Sequence, residues 1–85
     1  MPHFTKRIQT DFGNPEFIFD RLFTGGGVRY HVVVLNENRK TAVFSMETEN
    51  GKWHIVYTPE TPEWIMELQE ELSRAILNHN AIELK

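Results

Sequence analysis

The dipeptide Asn50-Gly51 constrains the fold most, because it separates two runs rich in β-branched and aromatic residues. Both central positions of a type I′ turn need positive φ, which Asn and Gly adopt at low cost. A two-residue hairpin at this point pairs Met46 with Ile55. In that register the large apolar residues of both runs share one face, whereas a one-residue slip would divide them between two faces.

Further turn signals recur at short intervals along the first two thirds of the chain. They lie at residues 11–15, 24–27, 37–39 and 58–62. The runs between them predict strands at 4–9, 16–23, 28–36, 40–49 and 52–57. Parallel strands would need crossovers of about a dozen residues or more, so these short connections favour an antiparallel meander.

The segment that begins at Thr61 carries a helical pattern. Thr61 is a favoured N-cap residue and Pro62 a favoured first helical residue. Apolar residues then recur at helical spacing, namely Trp64, Ile65, Leu68, Leu72, Ala75 and Ile76. We expect this helix to end near residues 78–80 and an extended tail to follow at 81–85. The chain is thus predicted to be one α+β domain over 1–85, with a meander of four to five strands and one C-terminal amphipathic helix packed on one sheet face.

The predicted inner face of the sheet is rich in aromatic residues. Its members are Phe4, Ile8, Phe17, Phe19, Phe23, Val28, Tyr30, Val32, Val34, Ala42, Phe44, Met46, Trp53, Ile55 and Tyr57. Five strands make a sheet roughly 20–24 Å wide, while a helix with its side chains is about 10–12 Å across. We therefore expect a homodimer with contacts at Trp64, Met66 and Leu77. Strong curvature of the sheet around a single helix is the alternative.

The predicted outer face mixes apolar, basic and histidine residues. Its candidates for a partner-binding or nucleic-acid-binding face are Arg7, Arg29, His31, Lys52 and His54. Single-strand binders combine a basic groove with exposed aromatic rings. Here the aromatic residues are mostly assigned to the other face, so a protein partner is favoured over nucleic acid.

Catalytic and metal chemistry are not predicted, and neither is a cofactor. The chain has no cysteine. Asp20, His31 and Ser45 are predicted to be cross-strand neighbours and contain the residue types of a catalytic triad. They lie on a flat strand face, which offers no oxyanion hole. The glycine run 25–27 joins two strands, whereas a phosphate loop would lead into a helix N-terminus.

The charge balance and hydropathy narrow the class of partner and the location. The net charge is −3, from 9 basic and 12 acidic residues, so the footprint of a basic nucleic-acid binder is missing. No apolar run approaches the roughly 20 residues of a transmembrane helix. We expect a cytoplasmic protein that does not enter membranes.

The order of the predicted elements, a meander of strands followed by one helix, resembles the architecture of the PC4 and Whirly single-stranded-DNA-binding regulators. That resemblance implies a single-stranded nucleic-acid-binding regulator that dimerises through its helix, with Lys6, Arg7, Arg29, Lys40 and Lys52 as the basic residues. The residues themselves favour a small non-enzymatic homodimeric interaction module of unknown ligand. An enzyme or metal protein built on His31 and His54 ranks last.

Overall fold

Five strands in chain order precede two helical segments in the part of the chain that the structure, a computed structural model, describes: residues 3–11, 13–37 and 39–83. The strands are β1 (His3–Arg7), β2 (Glu16–Thr24), β3 (Gly27–Asn36), β4 (Arg39–Glu49) and β5 (Lys52–Ile55). The helices are α1 (Glu63–Met66) and α2 (Gln69–Glu83). Residues 12 and 38, which belong to two predicted turns, and 84–85 of the predicted tail lie outside the described residues.

The strands form one curled antiparallel sheet in the order β1-β2-β3-β4-β5, which confirms the predicted α+β meander. The predicted pairing of Met46 with Ile55 is confirmed, and the neighbouring ladders have registers that continue the same pattern. Phe19 lies opposite Val32, Tyr30 lies opposite Met46, and Met46 lies opposite Ile55. Because side chains alternate along each strand, these registers assign the large apolar residues to one face of the sheet.

The hairpin turns have the predicted local geometry. Asn50 and Gly51 adopt φ of 55° and 82°, as a type I′ turn requires. Thr24 pairs with Gly27, so the glycine run forms a tight hairpin connection. Gly27 has φ of 125°, a conformation that a side chain would strain.

The helical region differs from the prediction at both ends and in the middle. The predicted start is one residue early: Pro62, which has no side-chain acceptor for a cap bond, occupies the N-cap position in place of Thr61. The hydroxyl of Thr61 lies 3.1 Å from that of Thr58. At the junction between α1 and α2, the N–H of Leu68 donates to the carbonyl of Ile65, three residues earlier. The predicted end at 78–80 is wrong, since α2 continues to Glu83.

An aromatic cluster under the helix spans the inner face of the sheet. Tyr30 on the central strand makes edge contacts with Phe4, Phe19 and Trp53, at ring-centroid distances of 6.0, 6.3 and 5.0 Å. Phe4 also stacks on Phe19 at 4.5 Å. Such pairs contribute about 0.5–1.5 kcal/mol each beyond the area that they bury. The cluster joins β1, β2, β3 and β5 into one packed unit.

Helix α2 crosses this cluster from one side of the sheet to the other. Near its start, Gln69 contacts Ile55 on β5 through a hydrogen bond. Near its end, His79 stacks on Phe4 of β1 at 4.1 Å, and the hydroxyl of Tyr30 donates to Asn80 at 3.1 Å. The diagonal path, together with the curl of the sheet, lets one helix cover far more of the inner face than its width suggests.

Most predicted inner-face residues are accordingly buried or half-buried within a single chain. Two of them are not buried: Phe23, which shares this face by its register opposite Val28, is 71% exposed, and Tyr57 is 68% exposed. Phe23 lies beside the Thr24–Gly27 turn, and Tyr57 follows the end of β5. Both residues lie at the margins of the sheet. The expectation that a second copy must cover the inner face is therefore not needed to explain the core.

The aromatic cluster predicts which rings hold the fold together. We expect Tyr30→Ala to lower the free energy of unfolding by about 3–5 kcal/mol, the usual range for removing a buried ring. Tyr30→Phe, which removes only the hydroxyl bonded to Asn80, should cost about 1 kcal/mol. Phe23→Ala is the control and should change stability by less than about 0.5 kcal/mol. Urea denaturation measures all three, and equal losses for Tyr30→Ala and Phe23→Ala would contradict this packing.

Candidate functional site

The five residues predicted to form a binding face all lie on strands, on the side of the sheet opposite α2. Arg7 lies on β1, Arg29 and His31 on β3, and Lys52 and His54 on β5. From β1 to β5 the sheet extends about 19 Å, at about 4.8 Å per strand. The residues therefore share a face, which we call the outer face, without converging on one point.

Several charged side chains of the outer face are already engaged within the chain. The guanidinium of Arg29 forms an ion pair with the carboxylate of Glu47, its cross-strand neighbour. Arg7 donates to the carbonyl of Asn14 at 3.1 Å. His54 lies opposite Glu47 on the next strand. The charge of Arg29 is therefore compensated within the chain.

The predicted row of Asp20, His31 and Ser45 is confirmed in its cross-strand register. His31 lies between Asp20 on β2 and Ser45 on β4. All three side chains are half-buried. Among the described residues no group of three or more His, Asp or Glu side chains could hold a metal ion. The row lies on an open strand surface, where no helix N-terminus or sharp turn could supply an oxyanion hole.

An apolar row crosses the middle of the outer face. Ile18 on β2 lies opposite Val33 on β3, and Val33 lies opposite Val43 on β4. Ile18 and Val33 are half-buried, and Val43 is 42% exposed. We call these three residues the apolar row. Thr5 is the neighbour of Ile18 on β1, so the row ends in a polar residue at that edge.

The predicted dimer contacts fall into two groups. Trp64 and Met66 are half-buried and pack against the core of their own chain. Leu77 is 42% exposed on the surface of α2. Their role in a dimer stays a prediction. The first two residues already have a structural use within one chain.

A cleft of about 720 Å³ opens between β5 and α2. Trp53 and Leu77 supply its apolar lining, while Lys52, Glu70 and Arg74 place charges of both signs along it. Trp53 is only 7% exposed. The cleft is thus shallow above a ring that belongs to the core, and its mixed charges select no single ligand chemistry.

The edge of β5 inside this cleft is closed by side chains of α2. The N–H of Trp53 donates to the hydroxyl of Ser73 at 2.9 Å. The N–H of Ile55 donates to the side-chain carbonyl of Gln69, also at 2.9 Å. Neither role was predicted from the sequence. The sequence clue for Ser73 is that this polar residue directly follows Leu72 on the apolar side of the helix.

We found no protein family, curated protein or solved structure that matches the chain. The resemblance to the PC4 and Whirly regulators therefore stays a resemblance in the order of elements. No helix within the described residues is both long and apolar enough to cross a membrane.

The closed β5 edge leads to a specific stability prediction. Ser73→Ala leaves the buried N–H of Trp53 without its acceptor, so the free energy of unfolding should fall by about 1–3 kcal/mol. Amide hydrogen exchange at Trp53 should accelerate in the same variant. Ser45→Ala, at the half-buried serine of the outer face, should stay within about 0.5 kcal/mol. Equal behaviour of the two variants would show that Ser73 does not close the edge.

Proposed function

We propose that the protein is a small non-enzymatic interaction module that works as a homodimer and binds a protein partner on its outer face. The apolar row Ile18, Val33 and Val43 is the observation that carries this proposal. An antiparallel sheet that exposes one face to water usually carries polar residues there. Three apolar residues in register on three adjacent strands depart from that pattern.

The surroundings of the apolar row support a protein as the partner. Asp20 and His31 flank the row on one side, followed by the ion pair of Arg29 and Glu47. An apolar centre with a polar rim of both charge signs is the usual anatomy of a protein–protein interface.

Single-stranded nucleic acid fits the same surface less well. The charge of Arg29 is compensated by Glu47, whereas a phosphate backbone binds uncompensated cations. Stacking needs exposed rings near one another along a groove. The exposed ring of Phe23 lies on β2 and that of Tyr57 lies beyond the end of β5, with β3 and β4 between the two strands.

The open geometry of the outer face supports a binding role rather than catalysis. Ser45 and His31 are neighbours in the middle of adjacent strands. A catalytic serine needs donors fixed around a developing oxyanion and a site from which water is excluded. An open strand surface provides neither, so we assign no catalytic residue.

Site-specific photo-crosslinking in cells of the source organism tests the proposed partner surface. A photoreactive side chain at Val43 should yield a discrete covalent adduct with one protein other than the chain itself. The same group at Glu71, an exposed position on α2, is the control and should not yield that adduct. The reason is that the partner would cover the row and leave the helix surface open.

A second substitution links the adduct to the apolar row. Val33→Thr keeps the size of the side chain and removes one of the three apolar contacts. We expect it to reduce the adduct formed from position 43 by about tenfold, which corresponds to about 1.4 kcal/mol of binding. An adduct that is unaffected, that forms equally from position 71, or that contains only a second copy of this chain would contradict the proposal.

A further inference from the structure

The two edge strands of the sheet, β5 and β1, differ in how far the rest of the chain covers them. At β5, the backbone N–H groups of Trp53 and Ile55 are hydrogen-bonded by side chains of α2. At the opposite edge, His3, Thr5, Lys6 and Arg7 of β1 are exposed and Phe4 is half-buried. An open strand edge is a template for pairing with another strand. The β1 edge is therefore the place where the sheet can grow.

The hydrogen-bond pattern of β1 shows which backbone groups face outward. The N–H of Ile8 donates to the carbonyl of Pro15, the residue opposite it when the β1–β2 register is continued. In an antiparallel pair, hydrogen-bonded residues alternate with residues that turn their N–H and C=O groups away. Lys6 is therefore bonded to β2, while the backbone groups of Thr5 and Arg7 point to the outside of the sheet.

We propose that a second copy of the chain pairs antiparallel along this edge, with Thr5 on the two-fold axis. This inference rests on the homodimer that forms part of the proposed function and gives that dimer a location. The two Thr5 residues would exchange N–H···O=C bonds across the axis. Two five-stranded sheets would then form one continuous ten-stranded sheet, with α2 of each copy on the same side.

The side chains of β1 can be accommodated in this register, because Asp20 and Glu16 of β2 lie beside its outer-side His3 and Arg7. Lys6 lies opposite Phe4 of the partner subunit on the inner side, where its stem can pack against the edge of the ring, whose faces are covered by Phe19 and His79. Arg7 lies opposite His3 of the partner subunit on the outer side. Thr5 faces its own copy, and threonine pairs are favourable cross-strand neighbours.

The alternative two-fold register is less favourable. Moving the axis by one residue, to Lys6, would place the two lysines directly opposite one another. Like charges in that position destabilise a strand pair. The same shift keeps the outward backbone groups of Thr5 and Arg7 opposite one another, so the charge contacts distinguish the two registers. Charge therefore favours the Thr5 register over the Lys6 register.

Single cysteines provide a direct test, because the chain has none of its own. Opposite residues of a hydrogen-bonded antiparallel pair have Cα atoms about 5.5 Å apart, within the range of about 4.4–6.8 Å that a disulfide spans. We expect Thr5→Cys to form a covalent dimer under mild oxidation. Thr48→Cys, an exposed threonine on β4, is the control and should stay monomeric on a denaturing gel.

A mixed experiment tests the register itself. His3→Cys and Arg7→Cys lie opposite each other only between copies, so a mixture of the two variants should form a heterodimeric disulfide. Neither variant alone should cross-link, because identical positions are about 13 Å apart along the strands, four residues at about 3.3 Å each. Failure of Thr5→Cys to cross-link, or equal cross-linking of His3→Cys alone, would overturn the proposal.

Thr5→Pro gives an independent readout of the dimer. Since the N–H of Thr5 points away from β2, proline removes a bond to the second copy and keeps the β1–β2 ladder. By light scattering at micromolar concentration, the unaltered chain and Thr5→Val should have twice the chain mass of 10.0 kDa. Thr5→Pro should have the mass of one chain, with an unchanged circular dichroism spectrum.

Other results would separate this inference from the proposed function. A monomeric unaltered chain, or a dimer that survives Thr5→Pro, would overturn the β1 interface. In either case the adduct formed from position 43 could still be present, so partner binding by the outer face would stand. If the β1 dimer is intact and that adduct is absent, the β1 interface would stand and partner binding by the outer face would be contradicted.

Discussion

The contact of α2 with the aromatic cluster is the interaction on which the rest of the structure depends. An 85-residue chain buries a smaller fraction of its surface than a large domain. Few elements are therefore available to cover its core. Tyr30 lies at the centre of the cluster, and the helix crosses it from β5 to β1. This diagonal path leaves a core that one copy of the chain can complete.

Because one chain closes its own core, the surfaces that complete the fold differ from the surfaces that remain uncovered. The helix occupies the inner face and, through Ser73 and Gln69, also the β5 edge. The outer face and the β1 edge are not covered by α2. One of them carries the apolar row and the other presents outward-facing backbone groups, so the two surfaces suit different kinds of contact.

Most of the sheet could be predicted from the sequence because the constraints on it are local. Positive φ at Asn50 and Gly51 and the period-two pattern fix the hairpin register. The exposure of Phe23 and Tyr57 could not be predicted in this way, since it depends on where the helix ends above the sheet. The direction of α2 is likewise set by tertiary contacts, such as the stacking of His79 on Phe4. The outer-face positions followed from strand alternation, but the roles of Ser73 and Gln69 required the helix to be in place.

Dilution of the unaltered chain tests most directly whether one copy completes its own core. Trp53 is 7% exposed and its ring lies against Tyr30, so its fluorescence reports on the packed cluster. We expect urea unfolding to remain a single cooperative transition, with a midpoint that no longer changes once dilution has made the chain monomeric. A native fluorescence signal that disappears on dilution alone, without denaturant, would show that a second copy is needed to close the core and would contradict this account.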